Sequence, residues 1–152
     1  ISKKDGDKYN MLKALTNFGD DYGKQADYSR AISYYRKALT LSSELNDLEN
    51  KANILSKLGN IYFKNGNRQK AIEMMKKALA ISYDINYKYG ITSFSNEFGE
   101  MYIKSDALKK AKPLLDTAFE VAQRINASQE IINALNILSN YYYRSGEMRK
   151  AY

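Results

Sequence analysis

Glu97 and Glu100 stand three residues apart, and Asp20 and Asp21 are adjacent. These pairs are the residues nearest to an acid–base constellation, because the chain has no histidine and no cysteine. Without those two types, proton transfer would fall to carboxylates, lysines or tyrosines. The same absence removes the commonest neutral metal ligand, thiolate chemistry and disulfides. No glycine-rich phosphate loop is present. Solvated helix surface accounts for the four carboxylates better than catalysis does. The reading is therefore no enzyme, no catalytic residue, no metal and no cofactor.

What holds such residues in place must come from the rest of the chain. Its 152 residues are 44% hydrophobic and 27% charged, ordinary values for a globular protein. A single proline, Pro113, suits long helices joined by short turns. No apolar run approaches a membrane span of roughly 18 residues, so no insertion by this segment is expected. The chain opens on Ile1, as a fragment or processed product would. That leaves a removed leader open, and with it a cytoplasmic or, for part of a membrane-linked sensor, a periplasmic location. The net charge of +7 suits an anionic partner or plain solubility.

The sequence repeats itself at an interval of 40 residues without gaps. Gly19, Gly59, Gly99 and Ser139 form one column; Tyr22, Tyr62, Tyr102 and Tyr142 another; Ala31, Ala71, Ala111 and Ala151 a third. Each unit reads as two helices. Leu55, Leu58 and Tyr62 share one helical face, and Ala71, Met75, Ala78 and Leu79 share another. Gly59 and Ala71 let the two axes approach where the pair crosses. Gly66 and Gly146 supply turns. Asn46, Asn86 and Asn126 follow the last apolar residue of each second helix, as left-handed caps do. Pro113 predicts a kinked or late-starting helix, either tolerated near a helix start or acting as a hinge.

The pattern Leu58-Gly59-x-x-Tyr62, then Ala71 and Ala78, resembles the tetratricopeptide repeat family. Phe18-Gly19-x-x-Tyr22 with Ala31 and Ala38 matches it, as does Phe98-Gly99-x-x-Tyr102 with Ala111 and Ala118. Leu138-Ser139-x-x-Tyr142 with Ala151 matches incompletely. The unit is longer than the family's usual length of about 34 residues. Long units of this kind resemble the repeat regions of bacterial regulators and sensor kinases. The resemblance implies an all-α, superhelical solenoid of antiparallel helix hairpins with about three and a half repeats. Its units would fall at about 12–51, 52–91, 92–131 and a partial 132–152. The array would end on an open face, with Leu138 and Tyr142 awaiting a continuation or a second molecule.

In this family the first helices line an inner, concave surface. Carried onto this sequence, that surface holds Asn53, Ser56, Asn60 and Phe63; Ser93, Asn96, Glu100 and Ile103; and Asn133, Asn136, Asn140 and Tyr143. In the first unit the same positions are Lys13, Thr16, Asp20 and Gly23. Asparagine is a mediocre helix former, yet it donates and accepts, so a row of it can pair with an extended peptide backbone. Phe63, Ile103 and Tyr143 would hold apolar side chains. The competing explanation is composition, since Asn10, Asn17 and Asn46 show the residue is common throughout. Some relatives clamp a C-terminal carboxylate with lysine and arginine. Only Lys13 is basic among these positions, so no such clamp is expected.

The positive charge forms two columns, Lys24, Lys64, Lys104 and Arg144, then Arg30, Lys70, Lys110 and Lys150. The first suits the dipole at helix C-termini. The second opposes a dipole, so local stability does not explain it, and the pair reads as a ridge for an anionic partner or for solubility. The tyrosine column reads as core rather than a base-stacking platform, so no nucleic acid is expected. The functional expectation is a peptide- or protein-binding scaffold with an asparagine-rich groove, part of a larger signalling or regulatory protein. The alternative is a self-association module pairing through its open end.

Overall fold

The computed structural model describes residues 2–147. They form seven helices: α1 (Lys3–Lys24), α2 (Tyr28–Glu44), α3 (Leu48–Lys64), α4 (Arg68–Asp84), α5 (Lys88–Lys104), α6 (Leu108–Arg124) and α7 (Ser128–Ser145). Ala151 and Lys150 of the repeat columns lie outside the described residues. The fold is an all-α helical repeat. It divides into two compact units, Ile1–Ile81 and Ser82–Tyr152. In the first, α1 packs on α2 and α2 on α3; in the second, α5, α6 and α7 pack on one another.

Every link between helices is the same three-residue turn. Its middle residue is left-handed each time, with φ of 59° at Ala26, 52° at Asn46, 84° at Gly66, 55° at Asn86, 59° at Asp106 and 55° at Asn126. The next amide reaches back to close the turn, as Asp47 N–H does to Ser42 O at 2.9 Å and Asn67 N–H to Tyr62 O at 2.9 Å. The asparagine caps and the Gly66 turn are therefore as the sequence indicates. Ala26 and Asp106 adopt the same conformation without being glycine or asparagine. Backbone closure thus recurs at half the sequence period.

The caps differ between the units. Asp27, Asp47 and Asn67 each accept a backbone N–H from three residues on, at 3.1, 3.0 and 3.1 Å. Tyr87, Ala107 and Ala127 offer no such side-chain bond. Ala107→Asp and Ala127→Asp should each raise stability by about 1 kcal/mol, read as a higher urea midpoint. Ala26→Gly should add about 0.5–1 kcal/mol by relieving the left-handed alanine.

The helix crossings follow the glycine and alanine columns. Ala31, Ala71 and Ala111 are completely buried. A Cβ on Gly59 would lie 2.9 Å from Met75 Sδ and 3.3 Å from Ala71 O, so α3 and α4 approach through this residue. Leu55, Leu58, Tyr62, Met75, Ala78 and Leu79 are buried around it. In the second unit Thr92, fully buried, donates its hydroxyl to Ala118 O at 2.6 Å and ties α5 to α6.

Two expectations change. α6 begins at Leu108, the same point in its pair as Tyr28 and Arg68, so Pro113 does not delay it. Pro113 is an interior helical residue, and Thr117 donates its hydroxyl to the Pro113 carbonyl at 2.9 Å. The backbone bond lost there is the one to the carbonyl of Lys109, close to the helix start. Leu138 does not await a cover: only 9% of it is exposed.

Candidate functional site

In the second unit, α5 and α7 run past each other and leave a cleft of about 250 Å³. Ser93, Asn96, Glu97 and Glu100 line it from α5, and Glu130, Asn133, Asn136 and Ile137 from α7. The helical period places these residues together, since each set recurs at three- and four-residue steps on one face.

At the floor, Asn96 is 3% exposed. Its Nδ2 donates to the Glu130 carbonyl and to Glu130 Oε2, both at 3.3 Å. Its Oδ1 has no hydrogen-bond partner. Glu130 is 6% exposed, and its carboxylate also accepts from Tyr89 Oη at 3.3 Å. The nearby Glu130 charge pushes the Tyr89 phenol above the ordinary tyrosine range, with burial and the hydrogen bond adding to it. Higher on the walls, Ser93 donates to Glu97 at 3.4 Å, and Glu100 pairs with Lys104 at 3.2 Å. Gln129 donates to Asn133 Oδ1 at 3.1 Å.

The first unit has clefts of similar size. Tyr9, Leu12, Lys13, Thr16 and Asn17 of α1 meet Asn50 of α3 around one of about 290 Å³. Asp20, Gly23, Lys24 and Tyr35 meet Lys57, Asn60, Ile61 and Lys64 around another of about 310 Å³. Here Asp20 accepts from Tyr35 Oη at 2.6 Å and from Lys57 Nζ at 2.8 Å. Asp20 therefore joins α1, α2 and α3 and is not idle solvated surface.

Of the groove positions read from the sequence, Ser93, Asn96, Glu100, Asn133 and Asn136 come together around the α5–α7 cleft. Asn60 lines a first-unit cleft. Asn53 and Phe63 are half-buried, and Asn140 and Tyr143 are exposed on α7. Two positions are corrected. Ile103 is completely buried and Ser56 is 2% exposed, so neither presents a side chain to a groove. For Ile103 the reason is that Met101, Tyr102 and Ile103 are all buried, so the C-terminal turn of α5 is enclosed on several sides and has no groove face there. Glu97 and Glu100 both border the cleft.

Glu130 is the residue that groove reading missed. It lies three residues before Asn133, one turn further along the same row, and extending the row would have found it. Asn50 holds the corresponding place in the first unit, 80 residues earlier, and also lines a cleft.

The basic columns are exposed at Lys24, Lys64, Lys104, Arg144, Arg30, Lys70 and Lys110; Lys150 lies outside the described residues. Arg144 donates to Ile103 O at 2.7 Å and so caps the end of α5. The second column has a local explanation after all. Arg30 sits over the Tyr22 ring at 4.9 Å, Lys70 over Tyr62 at 5.3 Å and Lys110 over Tyr102 at 5.8 Å. Each cation stacks on the tyrosine of the preceding helix, worth about 0.5–1 kcal/mol where exposed. Tyr62 and Tyr102 are core as read, and Tyr22 and Tyr142 are half-buried.

Short-turned helix pairs, small residues at their crossings and polar clefts on their first helices define a helical-repeat scaffold. The model of the tetratricopeptide repeat family matches residues 10–84, just under half of the chain. Among solved structures the chain is similar to BtubC (BKLC) from P. vanneervenii, at 25% identity and a TM-score of 0.82, covering 92% of this chain and 57% of that one. It thus spans a little over half of BtubC. It is similar to the TPR domain of Arabidopsis FLU, at 23% identity and a TM-score of 0.68, over 79% of this chain and 98% of that one. It is also similar to aspartyl phosphate phosphatase F from Bacillus subtilis, at 16% identity and a TM-score of 0.72, over 94% of this chain and 47% of that one. No curated protein matches the sequence. Repeats of this family mediate protein–protein interaction and generally serve as non-enzymatic scaffolds. Among the described residues no helix is long and apolar enough to cross a membrane.

Proposed function

We propose that the chain binds an extended segment of another protein along the polar faces of its first helices, and that it performs no catalysis itself. The observation that carries this is the α5–α7 cleft, where two helices present donors and acceptors to solvent side by side. Asn133 and Asn136 on its α7 wall can pair with a peptide backbone whatever the peptide's side chains. A scaffold of this kind suits the interaction region of a larger signalling or regulatory protein.

Random-peptide display on the wild type and on the Asn133→Ala/Asn136→Ala double variant tests the reading. The wild type should enrich a peptide set that the variant loses. Enrichment of nothing by the wild type, or of the same set by both, would overturn it. A second reading, self-association, draws on two exposed apolar residues of α7, Ile132 at 51% and Leu135 at 49% exposure. Light scattering over a concentration series distinguishes the two, because only self-association makes the apparent mass climb with concentration.

A further inference from the structure

We propose that the α5–α7 cleft is a subsite for an arginine side chain of the bound segment. This rests on the peptide-binding reading and names the chemistry of one contact within it.

Glu130 is a carboxylate held almost wholly out of water, at 6% exposure. Among the described residues it has no ion-pair partner, and its two side-chain donors, Tyr89 Oη and Asn96 Nδ2, stand at 3.3 Å. A desolvated anion ordinarily needs a cation or short, charge-assisted bonds to offset its lost hydration. Asn96 supplies a second, independent sign of the same deficit. It is only 3% exposed, and its Oδ1 has no partner. The amide cannot be turned to mend this, because its Nδ2 is engaged by two Glu130 oxygens. The floor of the cleft therefore has acceptors in excess and donors lacking.

The walls carry the same sign. Glu97 and Glu100 border the cleft, although the chain as a whole carries +7. A locally acidic cleft in a basic chain does not follow from composition. A bare metal ion is the wrong shape of cation, since among the described residues no three carboxylates lie close enough to share one. A larger, flat cation with several donors fits better. The arginine guanidinium has five N–H groups in a rigid fork, which can serve a carboxylate pairwise and still reach a neighbouring carbonyl. Ile137 gives its aliphatic stem an apolar wall.

The test is peptide display on the folded chain, followed by affinity measurement on one enriched peptide. The expected result is enrichment of peptides with arginine at one fixed position. Replacing that arginine by methionine, or Glu130 by glutamine, should each weaken binding roughly tenfold or more, and the two changes together little further. Glu97→Gln is the second variant should Glu130→Gln lose its helical circular dichroism, and it should weaken the arginine peptide but not the methionine one. Peptides enriched without arginine, or with lysine equally frequent, would overturn the arginine subsite and leave peptide binding standing. Enrichment of no peptide would overturn both.

Discussion

Gly99→Val should destabilise the second unit by about 3 kcal/mol, the upper end for an overpacked core, and Gly99→Ala by about 1–2 kcal/mol. A Cβ on Gly99 would lie 2.6 Å from Leu115 Cδ2 and 2.8 Å from its Cγ. Leu115 is completely buried on α6, so it has no solvent to retreat into. Ala111 O lies 3.6 Å from the same point, which limits any slide of α5 along α6. Gly59→Ala should be milder, because Met75 is unbranched and can change rotamer at the corresponding crossing. Urea denaturation of the three variants beside the wild type checks the order. Equal midpoints for Gly99→Val and the wild type would mean the α5–α6 crossing is looser than the distances indicate.

Asp20→Ala should cost about 1.5–3 kcal/mol, the range for a hydrogen bond to a charged group. Most of that loss is expected from Tyr35, which is 3% exposed and donates to Asp20 at 2.6 Å. The Lys57–Asp20 pair contributes little, since both side chains are a third or so exposed, 39% and 30%. Tyr35 also gives the chain a pH response. Burial, then the hydrogen bond and charge of Asp20, push its hydroxyl above the ordinary tyrosine range. A raised folded pKa means the stabilising effect is whole below the unfolded value of about 10 and is lost as pH rises beyond it. Over that range the wild type should lose about 1.4 kcal/mol per pH unit more than Tyr35→Phe does. Urea midpoints of both proteins at about pH 9 and about pH 11 measure the difference. Parallel losses would show that Tyr35 ionises freely in the folded state.

The helix pairs were legible because small residues at crossings and caps at helix ends repeat by type: Gly59, Ala71 and Asn46 can hardly be mistaken. The turns at Ala26 and Asp106 were not, because a left-handed backbone can be imposed by the helices on either side of it when the residue tolerates strain. The groove was legible by row but not by depth. Asn96 and Ile103 both sit at groove positions, yet one floors a cleft and the other is sealed in the core. That difference depends on how α5 is enclosed by its neighbours along its length, which spacing within one helix does not encode. The roles of Arg30 and Asp20 were hidden for a related reason. Each acts through an aromatic residue elsewhere in the chain, Tyr22 for the first and Tyr35 for the second.

The uniform three-residue turns bear on how fast the chain acquires its structure. Within each unit a helix packs on its neighbour in sequence or, for α5 and α7, its neighbour but one. Contacts so close along the chain require little loop-closure entropy. Folding can therefore start at any helix pair and spread outward, and local contacts of this kind favour microsecond-to-millisecond rates. A nascent chain would gain order pair by pair as it emerged, with each completed pair a template for the next.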